Sequence, residues 1–185
     1  MDYQAKWDAK YKAGTHQSRI PTPLLVQQAE FLPETGKALD VAGGAGRHSV
    51  WLAQQGLDVT LVDLSPVGIG LAKQLALEND LHINTIVRDI EVDPIPPGPW
   101  DVIVSCYFLW RPLFKEFAQQ LNVNGRLIVV QPTKSNLQKH EKPPADFLLE
   151  DGELPQLVEP LEILYSDEGW LAEDRHEAVI VATRR

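Results

Sequence analysis

The stretch at residues 37–47, K-A-L-D-V-A-G-G-A-G-R, constrains the fold more than any other part of the chain. Its apolar beginning predicts a buried strand at 38–41, its small residues predict a tight turn, and the pattern at 46–55 predicts a helix. This order is typical of α/β folds, in which the turn brings backbone N–H groups close to a nucleotide-like ligand. Glycine suits such a turn because a Cβ atom would hold the ligand away or forbid the backbone conformation.

Strands and helices continue to alternate after this turn, which predicts a parallel, doubly wound sheet with its ligand at the carboxyl ends of the strands. Ser65 and Pro66 predict an N-cap and the first turn of a second helix. No helix is predicted between the last two strands, so we expect an antiparallel hairpin at the end of the sheet, with its turn residues within 166–175. Further strands are predicted at 57–63, 83–88, 102–105, 126–131, 161–165 and 177–183, further helices at 113–121 and 153–158, and a turn at Asn124 and Gly125.

The N-terminal segment is polar with interspersed aromatic residues. Trp7 and Tyr11 are four residues apart and share one face of a predicted helix. That face either packs on the body of the domain or closes over a ligand, and both readings stay open. Prolines at positions 21 and 23 interrupt the chain before a helical pattern at 24–32. We expect one domain over residues 1–185, with a helical cap segment at 1–32 and an α/β core at 33–185.

Composition limits the possible partners and compartments. A formal net charge of −9 argues against nucleic acid as the main partner. Cys106 is the single cysteine, so an internal disulfide is impossible. The first residues lack the apolar stretch of a signal peptide, and no apolar run approaches the roughly 18 residues of a membrane span. We therefore expect a cytoplasmic protein without a membrane segment.

Three acids stand at comparable places in the predicted sheet. Asp40 lies within the first motif, Asp63 closes the second strand, and Asp89 follows the third. An acid that ends the second strand, 19 residues after Gly44, can accept hydrogen bonds from both ribose hydroxyls of a nucleoside. The competing reading, a turn or N-cap acid, is weaker for Asp63 because Ser65 already serves as the cap.

The motifs D-V-A-G-G-A-G, L-V-D-L-S, R-D-I-E and D-V-I-V-S, in this order, resemble those of class I S-adenosylmethionine-dependent methyltransferases. This resemblance implies a seven-stranded Rossmann-like sheet of order 3-2-1-4-5-7-6 with its last strand antiparallel. The runs G-R-H-S-V-W-L-A-Q-Q-G, S-C-Y-F-L-W-R-P-L-F and G-E-L-P-Q-L-V are similar to small bacterial methyltransferases of the tellurite-resistance and thiol-methyltransferase type. The resemblance to these methyltransferases covers roughly residues 5–185.

The resemblance implies S-adenosylmethionine as the cofactor and assigns parts of its site. The glycines would line the methionine portion with Asp40 near the ammonium group, and Asp63 would hold the ribose. One departure is Ala42, which stands where the family has its first glycine. The implied cofactor-binding residues are Asp40, Gly43, Gly44, Gly46, Asp63, Leu64, Asp89, Ile90 and Ser105.

We expect methyl transfer to a small-molecule acceptor, by a monomer or weak homodimer. A thiolate or a selenium or tellurium oxyanion needs no general base, whereas an oxygen or nitrogen nucleophile can require one. No catalytic residue is assigned, and the spacing of histidines and cysteine predicts no metal site. The candidates for a base or an anion contact are Tyr107, Arg111, His140 and His176.

Two other functions compete with this reading. A cofactor-binding sensor or partner protein without catalysis would carry the same motifs. A nicotinamide dinucleotide domain is imitated by Gly44-x-Gly46-x-x-Ser49, although serine is a poor third residue in that fingerprint. Such enzymes usually need a separate substrate domain, for which this chain leaves no residues.

Overall fold

The computed structural model describes residues 2–171 and 174–185. Within them the strands form one seven-stranded sheet of order 3-2-1-4-5-7-6. This confirms the predicted α/β fold class and strand order. The strands are β1 (Gly36–Val41), β2 (Leu57–Asp63), β3 (Asn84–Val87), β4 (Trp100–Cys106), β5 (Leu121–Pro132), β6 (Glu162–Trp170) and β7 (His176–Thr183).

Helices occupy most of the connections between these strands. Short 3₁₀ turns lie before β1, at Ala29–Phe31, and between β5 and β6, at Lys134–Gln138 and Ala145–Phe147. The α-helices are α1 (Tyr3–Lys12), α2 (Pro23–Val26), α3 (Arg47–Gln54), α4 (Pro66–Glu78), α5 (Leu113–Gln120) and α6 (Leu154–Leu157).

The chain divides into two compact units, of which the first comprises Met1–Thr22 and Pro33–Pro97. Its strands β1, β2 and β3 pair in parallel. The last four residues of β1 are all buried, as expected for a parallel strand covered on both faces. Helix α4 begins as predicted, because the Ser65 side chain accepts a hydrogen bond from the Gly68 N–H at 3.0 Å.

The second unit comprises Pro23–Leu32 and Gly98–Arg185. Strand β4 pairs with β5 in parallel, and β7 pairs antiparallel with both β5 and β6. The predicted terminal hairpin is therefore confirmed. The core of this second unit is apolar and rich in β-branched residues, and it includes the fully buried Ile103, Val104, Ile128 and Ile180.

Several predicted boundaries are wrong. Strand β5 begins at Leu121, so Asn124 and Gly125 lie inside it, where the register with β4 shifts and Asn124 has a φ of 61°. Strand β6 continues through Trp170, beyond the predicted turn residue Gly169, since each added residue pairs with β7. Residues 172 and 173 of that predicted turn lie outside the described residues.

No helix among the described residues has the length and apolarity needed to cross a membrane.

Candidate functional site

The turn after β1 has the backbone conformation that its small residues predict. Ala42, Gly44 and Gly46 have φ angles of 53°, 56° and 85°, in the left-handed region that glycine adopts at low cost. Ala42 is the one residue of the three with a Cβ atom, so its conformation is strained by about 1–2 kcal/mol. A glycine at this position would adopt the same φ without that strain.

Two glycines of this turn are required by close packing within the chain. A Cβ atom on Gly43 would lie 2.6 Å from Asp40 Oδ2 and 2.7 Å from Leu61 Cγ. One on Gly46 would lie 2.6 Å from the Cβ and 2.9 Å from the Cα of Ala72 in helix α4. The turn is thus pressed between the sheet and α4, a reason for these glycines that differs from ligand access.

Asp63, the last residue of β2, fixes the turn through its carboxylate. Oδ2 accepts a hydrogen bond from the Gly44 N–H at 2.9 Å, and Oδ1 accepts one from the Ser65 N–H at 2.8 Å. Burial raises the pKa of the Asp63 carboxyl, and these two backbone hydrogen bonds oppose the rise. Asp63 is therefore both a turn acid and the group that links the end of β2 to the glycine turn.

Asp40 on β1 is 1% exposed and carries an unsatisfied oxygen. Its Oδ2 accepts a hydrogen bond from the Ser49 hydroxyl at 2.6 Å, whereas Oδ1 is buried with no hydrogen-bond partner among the residues that the structure describes. Burial raises the pKa of this carboxyl to about 7, against the opposing effect of Ser49. A buried acceptor without a donor costs about 1–3 kcal/mol, which a bound cation would recover.

Helix α1 covers the glycine turn. The Tyr11 hydroxyl lies only 2.3 Å from where a Cβ atom on Gly44 would stand, and its ring lies 2.8 Å from the corresponding position on Gly68. Asp8 accepts a hydrogen bond from the Ser65 hydroxyl, which ties α1 to the start of α4. Burial, followed by the charges of Asp63 and Asp40, raises the pKa of Tyr11 well above its usual value. The face of α1 that carries Tyr11 thus packs on the body of the domain, which is one of the two readings that the sequence left open.

A cavity of about 420 Å³ lies at the carboxyl ends of β2 and β3. Leu64 and Asp89, two of the predicted cofactor-binding residues, line it, and Asp2 and Tyr3 of the N-terminal segment line it as well. Asp89 Oδ1 accepts a hydrogen bond from the Glu91 N–H at 3.0 Å, so this acid also stabilises its own turn. Ile90, which follows, is buried.

Most predicted cofactor-binding residues thus lie in the first unit, but Ser105 lies in the second. Ser105 is buried near the end of β4, and its hydroxyl donates a hydrogen bond to the Phe108 carbonyl at 3.5 Å. Tyr107, two residues later, has a φ of 62°, which is unusual for a bulky residue. Such conformations concentrate at functional sites, although Tyr107 has no observed role.

Arg111 is paired within the chain. Its guanidinium forms two hydrogen bonds to the Glu153 carboxylate, at 2.5 and 2.7 Å, in a bidentate ion pair. It lines a second cavity of about 440 Å³ together with Lys134 and Glu150, which also form an ion pair. Arg111 is therefore a structural cation in this conformation, and an anionic substrate would have to compete with Glu153.

The structure brings His140 and His176 close to one tryptophan, Trp170. The ring centroids of His140 and His176 lie 6.4 and 5.3 Å from that of Trp170. His140 Nε2 lies 2.7 Å from the Asp174 carbonyl oxygen, and His176 Nδ1 lies 2.6 Å from the Thr133 hydroxyl. Neither arrangement was visible in the sequence.

Sequence reasoning missed two residues of the first unit. Ser49 appeared only as a poor third position of a dinucleotide fingerprint, yet it is the hydrogen-bond donor to Asp40. Tyr11 was noted for its helical spacing, but its contact with Gly44 and Gly68 depends on packing between distant segments. The absence of a side chain at Gly68, inside a predicted helix, was the available signal.

Comparison with known proteins shows which proteins the chain resembles. A family model for a methyltransferase domain matches residues 38–125. The ubiquinone biosynthesis O-methyltransferase of Xanthomonas axonopodis pv. citri is 27% identical over 133 residues, which cover 63% of this chain and 56% of that protein. The chain spans about half or less of the length of the curated relatives it matches.

Two solved structures are similar over nearly the whole chain. TehB from Haemophilus influenzae has a TM-score of 0.76 at 24% identity, covering 95% of this chain and 66% of TehB. A TehB-like SAM-dependent methyltransferase from Corynebacterium glutamicum has a TM-score of 0.66 at 25% identity, covering 100% of this chain and 97% of that one. Residues 38–125 thus match a methyltransferase domain, and the chain resembles class I S-adenosylmethionine-dependent methyltransferases in fold.

Proposed function

We propose that this protein transfers a methyl group from S-adenosylmethionine to a small-molecule acceptor. The observation that carries the proposal is the cavity lined by Leu64 and Asp89, which adjoins the acid that holds the glycine turn. A pocket at the carboxyl ends of the first strands, beside a glycine-rich turn, is where α/β folds bind nucleotide-like ligands.

The residues present fit this cofactor. The unpaired Oδ1 of Asp40 is an acceptor for the ammonium of the methionine portion. Asp63 has lone pairs left for the ribose hydroxyls, because each oxygen accepts one backbone hydrogen bond. Leu64, Asp89 and Ile90 would hold the adenine. Gly43, Gly44, Gly46 and Ser105 complete the proposed set.

When bound, S-adenosylmethionine supplies a methyl group on a sulfonium, which an acceptor displaces in line to leave S-adenosylhomocysteine. The protein's contribution is then orientation and exclusion of water, and orientation alone can supply several kcal/mol. A thiol, or a selenium or tellurium oxyanion, is the proposed acceptor, since such a nucleophile needs no general base. The net charge of −9 further favours small molecules over nucleic acid.

The helical cap at 1–32 has a role in this proposal. Tyr11 covers Gly44, so the ring has to leave before the methionine portion can approach the turn. The ring centroids of Trp7 and Tyr11, on the same helix, lie 5.9 Å apart, so the fluorescence of Trp7 would report this movement. In stopped-flow experiments Tyr11→Ala should accelerate cofactor association several-fold. A weaker affinity with no faster association would mean that Tyr11 is a cofactor contact instead.

The function is tested by calorimetric titration with S-adenosylmethionine, using NADH as the control ligand. We expect the protein to bind S-adenosylmethionine with micromolar affinity and not to bind NADH. Addition of thiols, selenite or tellurite should then yield S-adenosylhomocysteine. Binding without turnover on any acceptor would support the sensor or partner-protein alternative. A failure to bind S-adenosylmethionine would overturn the proposal.

A further inference from the structure

Three potential metal ligands meet in the second unit, far from one another in sequence. One ligand atom each from Asp151, Glu168 and His176 lies within 4.8 Å of the other two. Asp151 lies between the 3₁₀ turn Ala145–Phe147 and α6, Glu168 lies on β6, and His176 begins β7. The grouping escaped sequence analysis because it depends on the pairing of β6 with β7.

The register of the hairpin accounts for two of the three ligands. Trp170 pairs directly with His176, and Glu168 stands two residues before Trp170 on the same strand. Residues two apart on a strand point to the same face, so Glu168 and His176 are diagonal neighbours across the pair. Such neighbours are within reach of each other when one side chain is long.

Each candidate ligand is held by a partner of its own. The Gly152 N–H contacts both carboxylate oxygens of Glu168 at 3.0 Å. The Ser135 N–H donates to Asp151 Oδ1 at 3.1 Å.

The imidazole of His176 is held in the same way. Nδ1 of His176 lies 2.6 Å from the Thr133 hydroxyl, and the Trp170 ring stands edge-on to the imidazole at 84°. Outer partners of this kind orient the ligands of protein metal sites.

The charge of the group favours a cation. The Ser135 N–H and hydroxyl both donate hydrogen bonds to Asp151, so its two carboxylate oxygens are held in place. The nearby lysines have other acidic partners, since Lys139 pairs with Asp174 and Lys134 pairs with Glu150. Two carboxylates and one imidazole thus face a common point.

We propose that Asp151, Glu168 and His176 bind a divalent transition-metal ion such as Zn²⁺ or Mn²⁺. Imidazole favours zinc and carboxylates favour manganese, and a mixed set suits either ion. Three protein ligands leave at least one coordination position open, as in metal sites that also bind water or a small molecule. The site is independent of the proposed cofactor site.

The test is calorimetric titration of the full chain with ZnCl₂ and with MnCl₂, in the absence of S-adenosylmethionine. We expect micromolar affinity for at least one ion, weakened about 100-fold by His176→Gln and by Asp151→Asn. His140→Gln is the matched control, because His140 also flanks Trp170 but is outside the group of three. It should leave the affinity unchanged.

Asp151 is exposed, so Asp151→Asn is the variant expected to fold normally, which circular dichroism would verify. Co²⁺ titration gives a second measurement, since a d–d absorption band should appear with the native chain and be absent with Asp151→Asn. Equal affinities in native chain and variants, or millimolar binding throughout, would mean an adventitious ion only and would overturn the proposal.

Discussion

The glycine turn of the first unit and the Asp151 group of the second unit are built in opposite ways. The turn is half-buried to buried. Asp63 on β2 accepts a hydrogen bond from the Gly44 N–H of the turn, and Asp40 on β1 accepts one from the Ser49 hydroxyl of the helix that follows. The Asp151 group is at least partly exposed and gathers single side chains from three segments. A site that depends on local backbone geometry leaves a motif in the sequence, whereas one that depends on strand register does not.

The largest effect should come from a methyl group on Gly46. With a φ of 85° and Ala72 at 2.6 Å, Gly46→Ala should lower the free energy of unfolding by about 2–5 kcal/mol. The control is Gly70→Ala in α4, where nothing lies within 4 Å, and it should raise that free energy by up to about 1 kcal/mol. Chemical denaturation measures both, and equal effects would contradict the packing argument.

The second test removes the acid that ties the turn to β2. Asp63→Ala should weaken S-adenosylmethionine binding by about 5- to 150-fold, because the ribose contacts are lost and the Gly44 N–H loses its acceptor. Asp58→Ala, at the exposed other end of the same strand, should leave the calorimetric dissociation constant unchanged. An unaltered constant in Asp63→Ala would reduce Asp63 to a turn residue.

The third test uses pH. The pKa of Asp40 is about 7, so roughly a tenth of this carboxyl is ionised at pH 6 and about nine-tenths at pH 8. An ammonium group beside Oδ1 favours the ionised form, so affinity for S-adenosylmethionine should rise about tenfold between these values, with proton release on binding. Calorimetric titrations in two buffers of different ionisation enthalpy would measure the number of protons released. Binding without proton release would show that Asp40 does not contact the ammonium group of the ligand.

A smaller effect is expected at Ala42. Ala42→Gly should relieve the strain of a φ of 53°, raising the unfolding free energy by about 1 kcal/mol after the entropic cost of glycine. Ala38→Gly on β1, within the same strand-turn unit, should instead destabilise the protein, because Ala38 is fully buried. A destabilised Ala42→Gly variant in thermal melts would show that the Cβ atom is stabilising.

The smallest effect is predicted in the second unit. Arg111→Gln should lower the unfolding free energy by at most about 1 kcal/mol, because the Arg111 side chain is 41% exposed in its ion pair with Glu153. A double-mutant cycle with Glu153→Gln isolates the pair. The affinity for S-adenosylmethionine should not change. A marked loss of affinity would show that Arg111 takes part in cofactor binding.

The fold was predictable because its signals are local. The glycine turn, the acid that ends β2 and the Ser65 cap each occupy a few consecutive residues, and the structure places them as expected. The extension of β6 was not predictable, since Ser166–Trp170 is held by β7 rather than by its own composition. The contact of Tyr11 with Gly44 likewise joins segments more than 30 residues apart.

The fit of Tyr11 against Gly68 has a consequence for how this protein could be altered. The Tyr11 ring can pack there only because Gly68 has no side chain, since a Cβ atom at position 68 would lie 2.8 Å from the ring. Gly68→Ala would hold α1 away from the turn without removing any group assigned to the cofactor. The rate of ligand exchange could then be tuned separately from the residues that determine which ligand is chosen.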